Sequence, residues 1–169
     1  MTAASSSADG GVSGAQRRHF RDVLGHFSTG VVVVTATAPD GPAGMTCQSV
    51  VSLSLDPPLV LFCPAKSSTS WPRIRVAGHF CLNILAADQE ALCATFARSG
   101  GDKFAGVGWA PGATGAPVLA GTLAHVECNL EVVHDGGDHE IAVGSVVDLS
   151  IRRTARPLVF FRGAFHELP

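Results

Sequence analysis

The sequence predicts a mainly β fold with a few short helices, arranged as an antiparallel barrel. Several short segments are β-branched or alternate between apolar and polar residues, and there is no regular alternation of strand and helix that would favour a doubly wound sheet. The chain has 169 residues, the length of one domain with a sizeable core. We therefore expect a folded domain over residues 16–169, preceded by a disordered tail of small and polar residues at 1–15.

The N-terminal third should form one helix and then strands. Apolar residues recur at helical spacing between Phe20 and Phe27, which predicts a helix over residues 16–27. A continuous β-branched run at 31–37 predicts a strand buried on both faces. A turn containing Pro and Gly follows it, and we expect the second strand over 44–51.

The middle of the chain mixes strands and short helices. The turn at Asp56-Pro57-Pro58 leads into a third predicted strand at 59–63, and a fourth covers 79–85. Hydroxyl side chains at 67–70 can cap a short helix that ends near Ala77. Asp88 can cap a second helix running to about Arg98, with four residues expected to face inward: Ala91, Leu92, Thr95 and Phe96.

The remaining segments predict a loop and then β structure. Six glycines and two prolines make residues 100–117 a long loop, a feature that is often functional or mobile. Residues 124–132 alternate and predict a strand with one buried face, which would leave His125 and Glu127 towards solvent. A tight turn at 135–138, another alternating strand and a last strand at 157–165 complete the chain.

Composition excludes several classes of function. The formal net charge is −2 and there is no basic stripe, so nucleic acid is not an expected partner. No apolar run approaches the roughly 20 residues that span a bilayer. The five cysteines form no Cys-x-x-Cys pair, which favours buried reduced thiols in a cytoplasmic protein. Hydrophobic residues make up 46% and charged residues 15%, which predicts a homodimer, with scattered surface apolar residues as the alternative.

The first segment able to carry chemistry lies between two hydrophobic strands. Residues 44–49 and 52–58 offer hydroxyl groups and one amide, which can hydrogen-bond the edge of a flat heteroaromatic ring. The alternative is an edge strand with its polar face towards water. No Gly-x-Gly-x-x-Gly or phosphate-binding Gly-rich loop is present, so a nucleotide would have to bind on strands and their loops.

The second segment, residues 64–70, combines Lys66 with hydroxyl side chains at a predicted helix start. This combination can bind an anion, although simple helix capping explains the hydroxyls equally well. Lys66 and Lys103 are the only lysines, and Lys103 lies in the Gly-rich loop. Both are therefore candidate phosphate partners, with chance placement as the alternative.

The third segment, residues 134–140, contains two histidines and three acidic residues. A metal site has to be considered, but all these groups belong to one hairpin without a distant further ligand. Its two glycines fit a tight turn. A polar hairpin is the preferred interpretation, and we expect no metal.

Taken together, these segments resemble the short-chain flavin reductases, the small components of two-component flavin monooxygenases. The resemblance covers Phe20 to Glu167. The matching segments in chain order are Phe27–Thr35, Gly44-Met45-Thr46, Ser52–Val60, Asp102-Lys103-Phe104, Gly137-Asp138-His139 and Pro157–Gly163. Gln48 departs from the family pattern, in which Asn is frequent, and Phe161 and Phe165 stand where relatives carry tyrosine.

The resemblance implies a split β-barrel of the flavin reductase, FMN-binding type, usually a homodimer with the flavin near the subunit interface. It implies an isoalloxazine lined by Thr46, Cys47, Gln48, Ser49 and Cys63. It implies a ribityl phosphate contacted by Lys66, Ser68 and Thr69, with help from Lys103 and Phe104. It also implies that His139 borders the nicotinamide.

The activity implied is hydride transfer from NADH, or from NADPH, to FAD or FMN, with reduced flavin passing to a separate monooxygenase. The alternative from another class is a non-catalytic flavin-binding or flavin-carrying protein on the same fold. An oxidase of the pyridoxamine-phosphate type is a third possibility, but the sequence has no Arg-rich pocket for a second anionic substrate.

Overall fold

A computed structural model describes residues 12–166, in which strands predominate and helices are short. The helices are α1 (Gly14–Leu24), α2 (Trp71–Ala77) and α3 (Glu90–Ala97), with a 3₁₀ turn at Ala87–Gln89. The strands are β1 (Thr29–Gly30), β2 (Val32–Ala38), β3 (Gly41–Cys47), β4 (Val50–Leu55), β5 (Pro58–Phe62), β6 (His79–Ile84), β7 (Trp109–Pro111), β8 (Pro117–Leu119), β9 (Ala124–Gly136), β10 (His139–Ile151), β11 (Val159–Phe161) and β12 (Ala164–His166). Among the described residues no helix has both the length and the apolar character needed to cross a bilayer.

A seven-stranded antiparallel sheet forms the centre of the fold. Its strand order is β3-β2-β6-β9-β10-β5-β4, so β3 and β4 are the two outer strands. These two strands are nevertheless consecutive in the chain, because only Gln48 and Ser49 lie between them. The two edges of the sheet therefore approach each other at this link, which is where the candidate site begins.

Strands β9 and β10 form a hairpin of two 13-residue strands that are bent by irregularities in register. One irregularity falls between Val143 and Gly144. A Cβ atom added at Gly144 would come 2.5 Å from Cζ of Phe80, so only glycine lets the strand approach the core this closely.

The core has two main clusters on the two sides of β2. Phe62 packs edge-on against Phe80 and Trp71, with ring centroids 5.0 and 5.5 Å apart, beneath α2. The second cluster lies beneath α3 and includes Phe96 and Leu158. In α3 the buried residues are Cys93 and Phe96, whereas Ala91, which we expected to face inward, is exposed.

Two predicted strands each divide into two. The segment 44–51 is not one strand, because the chain leaves one sheet edge after Cys47 and joins the other at Val50. The segment 157–165 is a β11–β12 hairpin whose turn residues, Arg162 and Gly163, both have positive φ, as a two-residue hairpin turn requires.

The other differences concern boundaries and one loop. Helix α1 runs from Gly14 to Leu24 instead of 16–27. The 100–117 loop contains β7 and leads directly into its partner β8. Of the predicted tail, residues 1–11 lie outside the described part of the chain, and the boundary at 15 stays a prediction.

The prediction that His125 and Glu127 face solvent is wrong. Their exposed fractions are 5% and 1% because the loop before β8 lies across this face of β9. The backbone N–H groups of Ala113 and Thr114 donate to the Glu127 carboxylate, each at 2.8 Å. Sequence alternation alone could not reveal this cover, because it comes from a distant loop.

Candidate functional site

The link between β3 and β4 is joined to the end of β5 through one hydroxyl group. Oγ of Ser49 accepts the backbone N–H of Cys63 at 3.0 Å and lies 3.2 Å from the Cys63 carbonyl oxygen, to which it donates. The Cys47 thiol lies 3.3 Å from the same hydroxyl. Three of the residues predicted to line a ring are thus brought together where the sheet edges meet.

Thr46 and Gln48 point in different directions from this link. The Thr46 hydroxyl donates to the Cys93 carbonyl at 2.7 Å, so it holds β3 against α3. Gln48 is exposed and lines an open groove of about 530 Å³ together with Ser49, residues 27–30 and residues 50–51. Of these two, only the Gln48 amide is presented to a ligand in this groove.

Residues 64–66 lie against the start of β10 and bring Lys66 close to His139. Ala65 pairs with His139 in an antiparallel bridge, and the backbone N–H of Lys66 donates to the Asp138 carbonyl at 3.0 Å. The Lys66 ammonium also contacts the exposed Asp135 carboxylate. The hydrogen bond from Lys66 is the main cause that lowers the pKa of Asp135 below its usual value.

His139 is oriented by its neighbour in the turn. Its Nδ1 lies 2.7 Å from Oδ1 of Asp138, and this hydrogen bond is the main cause that lowers the pKa of Asp138. The imidazole is 46% exposed. With Nδ1 occupied, the other ring nitrogen is the one that can meet a ligand.

The remaining predicted residues lie around a second cavity. Ser68 is turned inward, where its Oγ accepts the backbone N–H groups of Ser70 at 3.3 Å and Trp71 at 3.2 Å. Thr69 is exposed and lines a cavity of about 500 Å³ with Lys103 and Phe104. The Phe104 ring packs edge-on against Phe96 and Trp109.

The three protons of the Lys103 ammonium are all directed at protein oxygens. Nζ donates to the Gly44 carbonyl at 3.1 Å, to Oγ of Ser70 at 3.0 Å and to the Phe96 carbonyl at 3.1 Å. Burial lowers the pKa of Lys103, with a further contribution from the charge of Arg73. Lys103 would reach a phosphate only by giving up one of these contacts.

The predicted residues therefore fall into two groups. Ser49, Cys63, Lys66 and His139 follow one line from the sheet edge to the β9–β10 turn, whereas Thr69 and Lys103 belong to the other cavity. Sequence reasoning missed Arg73 and Trp109, which also line that cavity. Neither gave a signal, because Arg73 lies in an ordinary amphipathic helix and Trp109 in the Gly-rich loop.

The cysteines differ in exposure. Cys47, Cys81, Cys93 and Cys128 are buried, and only Cys63 is partly exposed. Burial raises the pKa of the Cys47 and Cys93 thiols, and that of Cys128 to about 12. These three thiols are therefore protonated and unreactive at neutral pH.

Comparisons with known proteins agree with one another. A family model described as a flavin reductase like domain matches residues 24–169. The reductase subunit HsaB of a flavin-dependent monooxygenase from Rhodococcus jostii is 52% identical over 148 residues, which cover 88% of this chain and 76% of the relative. The FMN reductase (NADH) SmoA from Agrobacterium fabrum is 50% identical, with 90% of this chain and 86% of the relative covered.

One solved structure is similar to this chain in fold as well as in sequence. It is the NADH:FAD oxidoreductase SgcE6 of Streptomyces globisporus C-1027, in complex with NAD and FAD fragments. The TM-score is 0.87 at 37% sequence identity, and the match covers 94% of this chain and 96% of the other.

Proposed function

The chain belongs to the flavin reductase-like domain family, and on this premise we propose that it is an NADH-dependent flavin reductase supplying reduced flavin to a separate monooxygenase. Two relatives that are 52% and 50% identical to this chain over the aligned residues are named as a reductase subunit of such a monooxygenase and as an NADH-dependent FMN reductase. SgcE6, whose structure is similar to that of this chain, is named as an NADH:FAD oxidoreductase. Flavin and NADH are accordingly the reactants that we assign to this chain.

The observation that carries the proposal is the continuous line formed by Ser49, Cys63, Lys66 and His139. It offers a polar rim at the sheet edge, an ammonium group that is 43% exposed and a half-exposed imidazole in sequence along one surface. A flavin needs a flat slot with hydrogen-bonding groups at its ring edge and a cation at its phosphate. These side chains fit both requirements, so the residues present match the cofactor.

We assign roles along this line. The Gln48 amide and the backbone between Cys47 and Ser49 would bind the ring edge, and Cys63 would border the ring. Lys66 would bind the phosphate, and the exposed Thr69 hydroxyl would reach it from the neighbouring cavity. Ser68 would shape the turn through its bonds to backbone N–H groups. Lys103 would fix the neighbouring cavity wall, and Phe104 would pack behind it.

When bound, the flavin supplies the redox chemistry by accepting a hydride from the nicotinamide. The protein then has to hold the two rings in contact and needs no acid or base for this step. His139 would hold the nicotinamide carboxamide through the ring nitrogen that Asp138 leaves free. Asp138 acts as the residue that orients the imidazole.

The test is steady-state turnover with NADH and NADPH, each combined with FAD and FMN. We expect catalytic amounts of protein to oxidise NADH with either flavin. A protein that binds flavin but leaves NADH unoxidised would instead be the non-catalytic flavin carrier. In air, an added monooxygenase component should bind the reduced flavin before oxygen in solution oxidises the free flavin.

We also propose that the protein is a homodimer. Apolar side chains are exposed on and just after α1, for example Phe20 at 64% and Phe27 at 76%, and at the ends of β4 and β10, for example Leu55 at 90% and Ile151 at 82%. Exposed apolar surface of this extent is typical of an interface. Light scattering at micromolar concentration should give twice the chain mass, and a monomeric mass would refute the proposal.

The split barrel and the cellular location are further proposals. Because two residues join strands at opposite sheet edges, the sheet has to curl until its edges approach each other, which supports a barrel with an incomplete seam. A crystal structure of the dimer would test this closure. Five free cysteines suit a reducing compartment, which supports the cytoplasm.

A further inference from the structure

Three side chains of types that can bind a metal ion lie close together on β9 and β10, away from the proposed flavin site. His125 and Glu127 lie two residues apart on β9, and Asp148 pairs directly with Glu127 from β10. One ligand atom from each of the three lies within 4.8 Å of the other two. In the hairpin at 134–140, which the sequence offered as a metal candidate, no such group of three is formed by described residues.

His125 is the unusual member of this group. Its side chain is only 6% exposed, and its buried Nδ1 has no hydrogen-bond partner among residues 12–166. Its Nε2 is directed between two carboxylates, 3.4 Å from Oδ2 of Asp148 and 3.9 Å from Oε1 of Glu127. Both distances are longer than a good hydrogen bond, so a cation placed among Nε2 and the two carboxylates would satisfy all three groups better than they satisfy one another.

We propose that His125, Glu127 and Asp148 bind a divalent transition metal ion, with Zn²⁺ as the ion that suits them best. One imidazole and two carboxylates are ligands that Zn²⁺ accepts, whereas Mg²⁺ prefers oxygen ligands alone. A tetrahedral ion with bonds of about 2.0–2.2 Å separates its ligand atoms by about 3.3–3.6 Å. The distance from Nε2 to Asp148 fits directly, and the distance to Glu127 needs a contraction of a few tenths of an ångström.

The two carboxylate oxygens of Glu127 accept different numbers of hydrogen bonds. Oε2 of Glu127 accepts from both the backbone and the hydroxyl of Thr114, whereas Oε1 accepts only from Ala113 and keeps a lone pair. Oε1 of Glu127 is therefore the oxygen that is free to bind an ion.

The surroundings leave space and charge for an ion. The three side chains line a cavity of about 510 Å³ that also includes residues 110–113 and Arg152. Arg152 is the only Lys or Arg lining this cavity among the described residues, and it faces the two carboxylates of Glu127 and Asp148. The cavity opens to solvent, and water can complete the coordination.

Metal binding should also hold the loop in position. A Cβ added at Gly112 would come 2.2 Å from Oε1 of Glu127, so the loop lies directly on the proposed ligand. An ion bound to Glu127 would therefore stabilise residues 112–115 against β9. The site does not depend on the proposed reductase activity, because none of its residues lines the flavin site.

The test uses the full chain after removal of metal with a chelator. Isothermal titration should give one Zn²⁺ per chain with a micromolar or lower dissociation constant, a rise in Tm on binding, and no binding of Mg²⁺ at millimolar concentration. Co²⁺ should replace Zn²⁺ and give the visible absorption of a four-coordinate site. Flavin reduction by NADH should continue without the metal.

Two variants locate the ion. Asp148→Asn alters an exposed residue and should leave the fold intact, and His125→Gln removes the imidazole; each should weaken Zn²⁺ binding at least tenfold. Matched controls are His79→Gln, another histidine with an unbonded nitrogen, and His139→Ala in the hairpin, and neither should change Zn²⁺ affinity. Absence of stoichiometric Zn²⁺, or binding that is unchanged by Asp148→Asn and His125→Gln, would overturn the proposal.

Discussion

The two lysines should respond differently to the same substitution. Lys103→Met keeps the aliphatic stem but removes three hydrogen bonds of 3.0–3.1 Å, and it leaves the Gly44 and Phe96 carbonyls without that donor. Hydrogen bonds to a charged group are each worth about 1.5–3 kcal/mol, but dehydration of the ammonium offsets part of their sum. We expect a loss of about 2–4 kcal/mol in the free energy of unfolding, or about 4–16 °C in Tm.

Lys66→Met is the matched control. The Lys66–Asp135 contact is exposed, and such pairs contribute about 0–1 kcal/mol, so Tm should hardly change. Flavin affinity should instead fall about tenfold, or by about 1.4 kcal/mol, through loss of a phosphate contact. Thermal unfolding without flavin and flavin titration near 10 °C separate the two effects. Unchanged stability of Lys103→Met, together with a tenfold loss of flavin affinity, would refute the structural role of Lys103.

Three further substitutions have distinct expected outcomes. His139→Ala should lower kcat/KM for NADH by about 10–100-fold, or about 1.4–2.8 kcal/mol, and barely change flavin affinity; equal loss of both would contradict a nicotinamide contact. Hydrogen bonds lower the pKa of Glu127, so its contribution to the free energy of unfolding is complete above its ordinary pKa of 4.5 and is lost as pH falls through the lower folded-state value. Glu127→Gln should therefore reduce the loss of stability below that pH, in acid unfolding measured with a chelator present. Gly144→Ala places a Cβ 2.5 Å from Phe80 and should cost about 1–3 kcal/mol in denaturant unfolding, whereas a neutral result would mean that the strand can shift.

Local patterns predicted most of the elements but not their connections at sheet edges. The β-branched run in β2 and the alternation in β10 are periodic enough to identify strands directly. The break at Gln48 and Ser49 has no local signal, because extended backbone continues through it and only the pairing partners change. Strand register, and the move of the chain from one sheet edge to the other, depend on contacts between distant segments. No single position in the sequence therefore indicates them.

The candidate site was predictable as a set of segments and less so as a set of contacts. The family resemblance gave Ser49, Cys63, Lys66 and His139, and the structure brings their segments together. The resemblance could not predict that the Thr46 hydroxyl points inward or that Lys103 makes three hydrogen bonds, because these contacts depend on where α3 packs. The burial of His125 was likewise unpredictable, because the loop that covers it belongs to residues 100–117, for which the sequence predicts no contact with β9.

The uneven exposure of the thiols makes this chain suitable for fluorescence work without prior engineering. Cys63 is the only cysteine that is not buried, so a maleimide dye should attach there and spare the other four. Its backbone is bonded to Ser49 at the entrance of the proposed flavin site. A dye attached at Cys63 would thus report flavin arrival and departure in real time, and bound flavin would slow the labelling reaction itself.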